Sequence, residues 1–138
     1  MGDFQIKQPK LTTSSMVSPH ESSNTPSNSL RPIFSLQHMA MHTKDHCLDT
    51  CQKDEKVGFA NTLNKLSRMT WAEIKQAHRH GAGYEKISTL DVPIHASIPQ
   101  NTPIIAFRFH GLKPMIGYRE DNIFHILFLD HKMKCYKH

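Results

Sequence analysis

The chain has 138 residues, which suits one small domain with a tail, and at 38% hydrophobic it is too polar for all of it to be folded. A formal net charge of +5, with 11 histidines uncounted, favours a polyanionic partner: RNA, DNA or an acidic protein. An odd number of cysteines (three) and an N-terminus without an apolar leader argue against a secreted disulfide framework, and no run reaches the roughly 18 apolar residues of a membrane span. The expected location is cytoplasmic, without membrane contact.

Residues 1–30 are rich in Ser, Thr, Pro, Asn and Gln. That composition buries too little apolar surface to offset the ordering entropy, so it reads as a disordered tail ahead of a single α+β domain over 31–138. Ile6 stands where a myristoylation signal needs Ser or Thr. Residues 32–38, PIFSLQH, alternate with Phe34 and Leu36 on one side and make a first strand, placed at an edge. His38, His42, His46, Cys47 and Cys51 crowd the next stretch. Cys-x3-Cys falls in the loose range for zinc, but the usual paired signature is absent. No metal and no cofactor are assigned, and the bland reading is a connecting loop.

Residues 52–80 read as two helices. Phe59, Leu63 and Leu66 recur at helical spacing, with Val57 helping to anchor the start. Thr70-Trp71-Ala72-Glu73 fits a capping box, so a second helix begins at Trp71 and stops at Gly81-Ala82-Gly83. Trp71 and Ile74 face inward. Lys65, Arg68, Lys75 and Arg79 are left on exposed faces, the ordinary place for such charges. Residues 82–103 hold Pro93, Pro99 and Pro103 and read as a linker packed down by Tyr84, Ile87 and Ile94.

The last third is the most regular. Ile104–His110, 115–119 and Ile123–Leu129 are β-branched and aromatic runs, broken by Gly111-Leu112-Lys113-Pro114 and Glu120-Asp121-Asn122. Connections so short join antiparallel neighbours only, which makes a meander. Ile105, Phe107 and Phe109 share a core face. The opposite face is left for Arg108, His110 and Arg119. The third run is apolar on both sides apart from His125, as a covered strand is, and His125 reads as a hydrogen-bonded core histidine. The fold class is therefore α+β: an N-terminal strand, a two-helix hairpin, then a three- to four-stranded antiparallel sheet.

This order, with Phe107-Arg108-Phe109, Met115-Ile116-Gly117-Tyr118-Arg119, Phe124-His125-Ile126-Leu127-Phe128 and the ending Asp130-His131-Lys132-Met133-Lys134-Cys135-Tyr136, resembles the RelE, ParE and YoeB toxin superfamily of toxin–antitoxin systems. The resemblance covers residues 33–138 by architecture and the last 35 or so by motif. It implies a RelE-like fold and metal-independent cleavage of messenger RNA, by 2′-hydroxyl attack on the adjacent phosphate. Such a reaction takes a base, an acid and cations around the transition state. Carried over, Arg108 holds the scissile phosphate, His131 serves as base or acid, and Tyr136 stacks on a base or assists proton transfer. Lys132, Lys134, Lys113 and Arg119 attract RNA. The implied partners are RNA or the ribosome and a cognate antitoxin. Two departures stand out: Pro114-Met115 replaces the basic residue several members carry, and no glutamate is identifiable as a base. The alternative, from another class, is a non-catalytic binding module on the same scaffold, as ParE-type members bind gyrase.

Overall fold

In the computed structural model, residues 26–39, 46–78 and 81–137 are described. Strand β1 (Ile33–Ser35) is followed by helices α1 (Lys53–Leu66) and α2 (Trp71–Gln76) and strand β2 (Tyr84–Ile87). Strands β3 (Ile104–His110), β4 (Lys113–Glu120) and β5 (Ile123–Leu129) complete the chain. The class is α+β, with one five-stranded sheet in the order β1-β5-β4-β3-β2. Most of the expected N-terminal tail, together with His42, Arg79 and His80, lies outside the described residues. Residues 26–30, read with the tail, contact the domain: Ser27–Ser29 form a 3-10 turn, and the Trp71 N–H donates to the Leu30 carbonyl at 2.9 Å.

Two expectations about the sheet are corrected. The stretch read as a linker contains β2, because its prolines begin only at Pro93 and Tyr84-Glu85-Lys86-Ile87 is free to pair antiparallel with β3. Nor is the sheet all antiparallel: β1 runs parallel to β5, with Ile33 opposite Ile123. Short turns dictate direction only between consecutive strands, and almost the whole chain separates β1 from β5. The turns of the meander are two residues each, with Gly111 (φ 61°) and Asp121 (φ 57°) in the left-handed region. Pro114 sits inside β4 at the break in register between Arg108 and His110, a place that tolerates a missing N–H.

Both faces of the sheet are covered. On one, Ile105, Phe107, Phe109, Met115, Phe124 and Ile126 pack against Phe59 and Leu66 of α1 and Trp71 and Ile74 of α2. Trp71, Phe107 and Phe124 meet at tilted or edge-on angles, and the Trp71 indole N–H donates to the Asn122 carbonyl at 3.0 Å. On the other face, Ala106, Ile116, Leu127 and Phe128 are covered by Leu90, Val92, Ile94 and Ile98 from the β2–β3 connection, and by Cys135 and Tyr136 from the C-terminal segment. This is why β5 is apolar on both sides.

The buried stripe of α1 is Glu55, Phe59, Thr62 and Leu66. Val57 does not anchor the helix start: it lies about 200° around the axis from Glu55 and is 52% exposed. The capping box of α2 forms as expected, with the Glu73 N–H donating to Thr70 Oγ1 and the Thr70 N–H to Glu73 Oε1. The helix stops at Gln76, earlier than the glycine signal, because Ala77 turns extended. The glycines instead shape the reversal into β2, where the Gly81 and Gly83 N–H groups both donate to the His78 carbonyl.

Helix α1 lies so close to β3 that a Cβ on Gly58 would stand 2.6 Å from the Phe109 carbonyl oxygen, while Thr62 Oγ1 donates to that same oxygen. Gly58→Ala is therefore expected to lower stability by about 1–3 kcal/mol, despite the better helix propensity of alanine. Urea unfolding followed by circular dichroism measures it; an unchanged midpoint would mean that the helix has room to move off the strand.

Candidate functional site

The site grows from the start of α1. Glu55 occupies the third position of the helix, where its carboxylate accepts the Gln52 N–H at 2.6 Å. The same position belongs to the inward stripe, so the carboxylate is buried, 3% exposed. Three other segments meet it. Lys113, at the start of β4, forms an ion pair with Glu55 Oε2. His131, just past β5, places Nδ1 3.7 Å from Glu55 Oε1. The 3-10 turn Leu48–Thr50 supplies Thr50, whose Oγ1 is 3.1 Å from His131 Nε2. Close by, His110 Nε2 lies 3.4 Å from Asp54 Oδ2.

Burial alone would raise the Glu55 carboxyl's pKa. The Lys113 ammonium, the Gln52 N–H and His131 outweigh it and hold the group below the ordinary carboxylate range. The neighbouring Cys51 thiol is pushed the other way, to about 11, first by burial and then by the Glu55 and Cys47 charges. Carboxylate, imidazole and ammonium together make a set able to orient, accept and donate a proton beside a fixed positive charge.

The other sequence-derived candidates are distributed elsewhere. Tyr136 is buried in the core on the opposite sheet face, and its hydroxyl donates to Glu85 Oε1 of β2 at 3.4 Å. Burial and Glu85 raise its pKa, against a smaller opposing effect from Arg108. Tyr136 and Arg108 are thus neighbours, and they border a different environment from His131. Tyr136 also lines a polar cleft of about 480 Å³ with Lys86, Asp91 and Lys137.

Arg108, His110 and Arg119 do not share a face. The break in register after Arg108 sets His110 against α1. Arg119 lies on the helical side, its guanidinium 4.3 Å over Trp71, with bonds to the Asp121 carbonyl and Ser27 Oγ. Lys113 is committed to Glu55, whereas Lys132 and Lys134 are exposed. His125 is buried as a core histidine, stacked on Tyr118 with Nε2 2.9 Å from Glu120 Oε1.

Two acidic residues were missed. Glu55 was legible in retrospect: it stands at the third helical position and four residues before Phe59 on the inward stripe. Asp130, fully buried at the end of β5, had no local signal beyond following an apolar strand. Its carboxylate accepts the Lys134 and Cys135 N–H groups and, with His46 and Cys135, forms a group of metal-ligating side chains. The two thiols of the Cys-x3-Cys pair are engaged separately: Cys47 Sγ donates to Asp49 Oδ1 and Cys51 Sγ to the Cys47 carbonyl.

Compared with models of known families, with curated proteins and with solved structures, the chain matches none. What its fold and site define is an α+β protein with a mixed five-stranded sheet and a buried Glu–Lys–His network at one end. Among the described residues, no helix is long and apolar enough to cross a membrane.

The depressed carboxyl of Glu55 gives stability a definite acid dependence. The unfolded chain takes up the proton more readily than the folded one. The stabilisation is complete above the ordinary range, near pH ~4.3, and is lost as pH falls through the lower folded value. Glu55→Gln is expected to cost about 2–3 kcal/mol at neutral pH and progressively less as the solution is acidified. Urea titrations at stepped pH would show the two stability curves converging on the acid side; parallel curves would remove Glu55 as the source.

Proposed function

We propose that the protein is a toxin-like endoribonuclease, an mRNA interferase of the RelE and YoeB kind, which cleaves RNA without a metal. The observation that carries this reading is the approach of His131 to Glu55, whose other carboxylate oxygen is ion-paired with Lys113. The C-terminal motif from which the resemblance came is thereby joined to a carboxylate, the component that the sequence alone did not identify. The element order (strand, two helices, then an antiparallel run of strands ending in a basic segment) also supports a RelE-like scaffold.

In this reading His131 moves the proton between the 2′-hydroxyl and the leaving 5′-oxygen. Glu55 is a positioning residue: it stabilises the charged imidazole and, through Thr50 on the other nitrogen, the ring is held at both ends. Lys113 fixes the charge of Glu55 and adds positive potential. The exposed Lys132 and Lys134 attract the RNA backbone. The partners are RNA, on or off the ribosome, and an antitoxin that covers the basic surface in the cytoplasm.

A second reading, a non-catalytic binding module or inhibitor, is favoured by one observation: the network is deeply placed, with the Glu55 and His131 side chains only 4% and 9% exposed. Induced expression separates the two. The nuclease is expected to arrest growth and leave discrete new 5′ ends in messenger RNA by primer extension. His131→Ala, which spares the ion pair, should reduce cleavage about 10²-fold or more. Arrest with intact RNA would replace the nuclease by a binding inhibitor. A folded protein that neither arrests growth nor cuts RNA would sink both toxin readings.

A further inference from the structure

A second cluster lies apart from the Glu55 network, where the C-terminal segment folds under the end of β5. We propose that His46, Asp130 and Cys135 bind one divalent metal ion of the borderline-soft class to which zinc belongs. Imidazole nitrogen, carboxylate oxygen and thiolate sulfur form a mixed donor set of the kind zinc accepts. Their ligating atoms all lie within 4.8 Å of one another.

At His46 the geometry favours ligation over hydrogen bonding, while the Cys135 thiol shares its proton with the Asp130 carboxylate. His46 Nδ1 is 3.8 Å from Asp130 Oδ1, too far for a hydrogen bond. Two ligands at about 2.0–2.1 Å from a tetrahedral ion stand roughly 3.4 Å apart, so a small closure would seat both. His46 Nδ1 is also buried without any hydrogen-bond partner, although buried polar atoms are normally satisfied. A cation between the two atoms removes that anomaly.

The backbone holds the three residues in place. The Leu129 N–H donates to the His46 carbonyl at 2.9 Å, pinning the histidine beside the end of β5. The chain then winds around Asp130: the Met133 N–H bonds to its carbonyl, and the Lys134 and Cys135 N–H groups bond to its two carboxylate oxygens. Met133 takes a left-handed φ of 57° to make the turn. Such outer hydrogen bonds orient a ligating carboxylate and leave it lone pairs for a metal.

Charge balances as well. Asp130 and Cys135 are both fully buried. The ion displaces the thiol proton of Cys135, which leaves to solvent, and carboxylate plus thiolate then cancel a divalent cation. A neutral assembly is the form that burial tolerates. The protein supplies three ligands, leaving the fourth position to water or a small ligand. His46 also lines an apolar cleft of about 480 Å³ with His38, His95, Leu127 and Phe128.

Cobalt titration of the full-length, chelator-treated protein tests this. One equivalent of Co²⁺ is expected to produce tetrahedral ligand-field bands and a near-ultraviolet thiolate-to-cobalt charge-transfer band, both abolished by Zn²⁺. Cys135→Ser should lose the charge-transfer band, and His46→Ala should bind at least about tenfold more weakly. Cys47→Ser should keep the full spectrum. Circular dichroism confirms folding of each variant, and His46→Ala provides an independent reading if Cys135→Ser fails to fold. No spectrum from the folded wild type, a band that survives Cys135→Ser, unchanged affinity in His46→Ala, or loss of the band in folded Cys47→Ser would each overturn the site. None of these outcomes depends on RNA cleavage or growth arrest.

Discussion

A buried carboxylate is costly unless its charge is answered, and the way Glu55 is answered ties this molecule together. Its partners come from four places: the backbone just before α1, the start of β4, the segment after β5 and, through His131, the turn before the helix. Gln52 and the Thr50 turn are local to Glu55, whereas Lys113 and His131 come from the far end of the chain. Satisfying one charge therefore fixes the helix against the sheet and fixes the C-terminal segment against both. The approach of α1 at Gly58 and the hydrogen bond from Thr62 to Phe109 continue the same contact along the helix.

The two-sided covering of the sheet decides which cations remain available to a partner. Arg119 stands on the helical side, where Trp71 and Ser27 engage it, although its sequence position suggested a shared surface with Arg108. Burial lowers the pKa of its guanidinium and the Tyr84 and Asp121 charges oppose that, the pattern of an internal cation. Lys113 is likewise turned inward by Glu55. A basic composition thus overstates the free positive surface. Of the residues assigned to RNA attraction, Lys132 and Lys134 are the exposed ones.

The site was legible in part. His131 was singled out only through the resemblance of the C-terminal ending to the toxin superfamily, and in the structure it has two close partners. Glu55 was passed over as one of several scattered acidic residues; it is a capping residue of the helix, and its second role depends on what the inward stripe meets. Tyr136 was singled out with His131, yet five residues of turning chain carry it to the other face of the sheet. His46 faces Asp130 and Cys135, more than eighty residues away in sequence.

By itself the sequence determined the elements whose causes are local. Alternation and short turn-forming breaks define the meander, because side-chain period and turn chemistry act over a few residues; that the turns are two residues each is seen only in the structure. Thr70 and Glu73 define the start of α2 for the same reason. Only the tertiary structure decided the direction of β1, the addition of β2 as an edge strand, and the face on which each charge lies. Those outcomes rest on pairings between distant segments and on breaks in strand register, which shift side chains from one face to the other. The Glu55 network and the His46–Asp130–Cys135 group belong to that second kind: each is assembled by packing, from residues that no local pattern links.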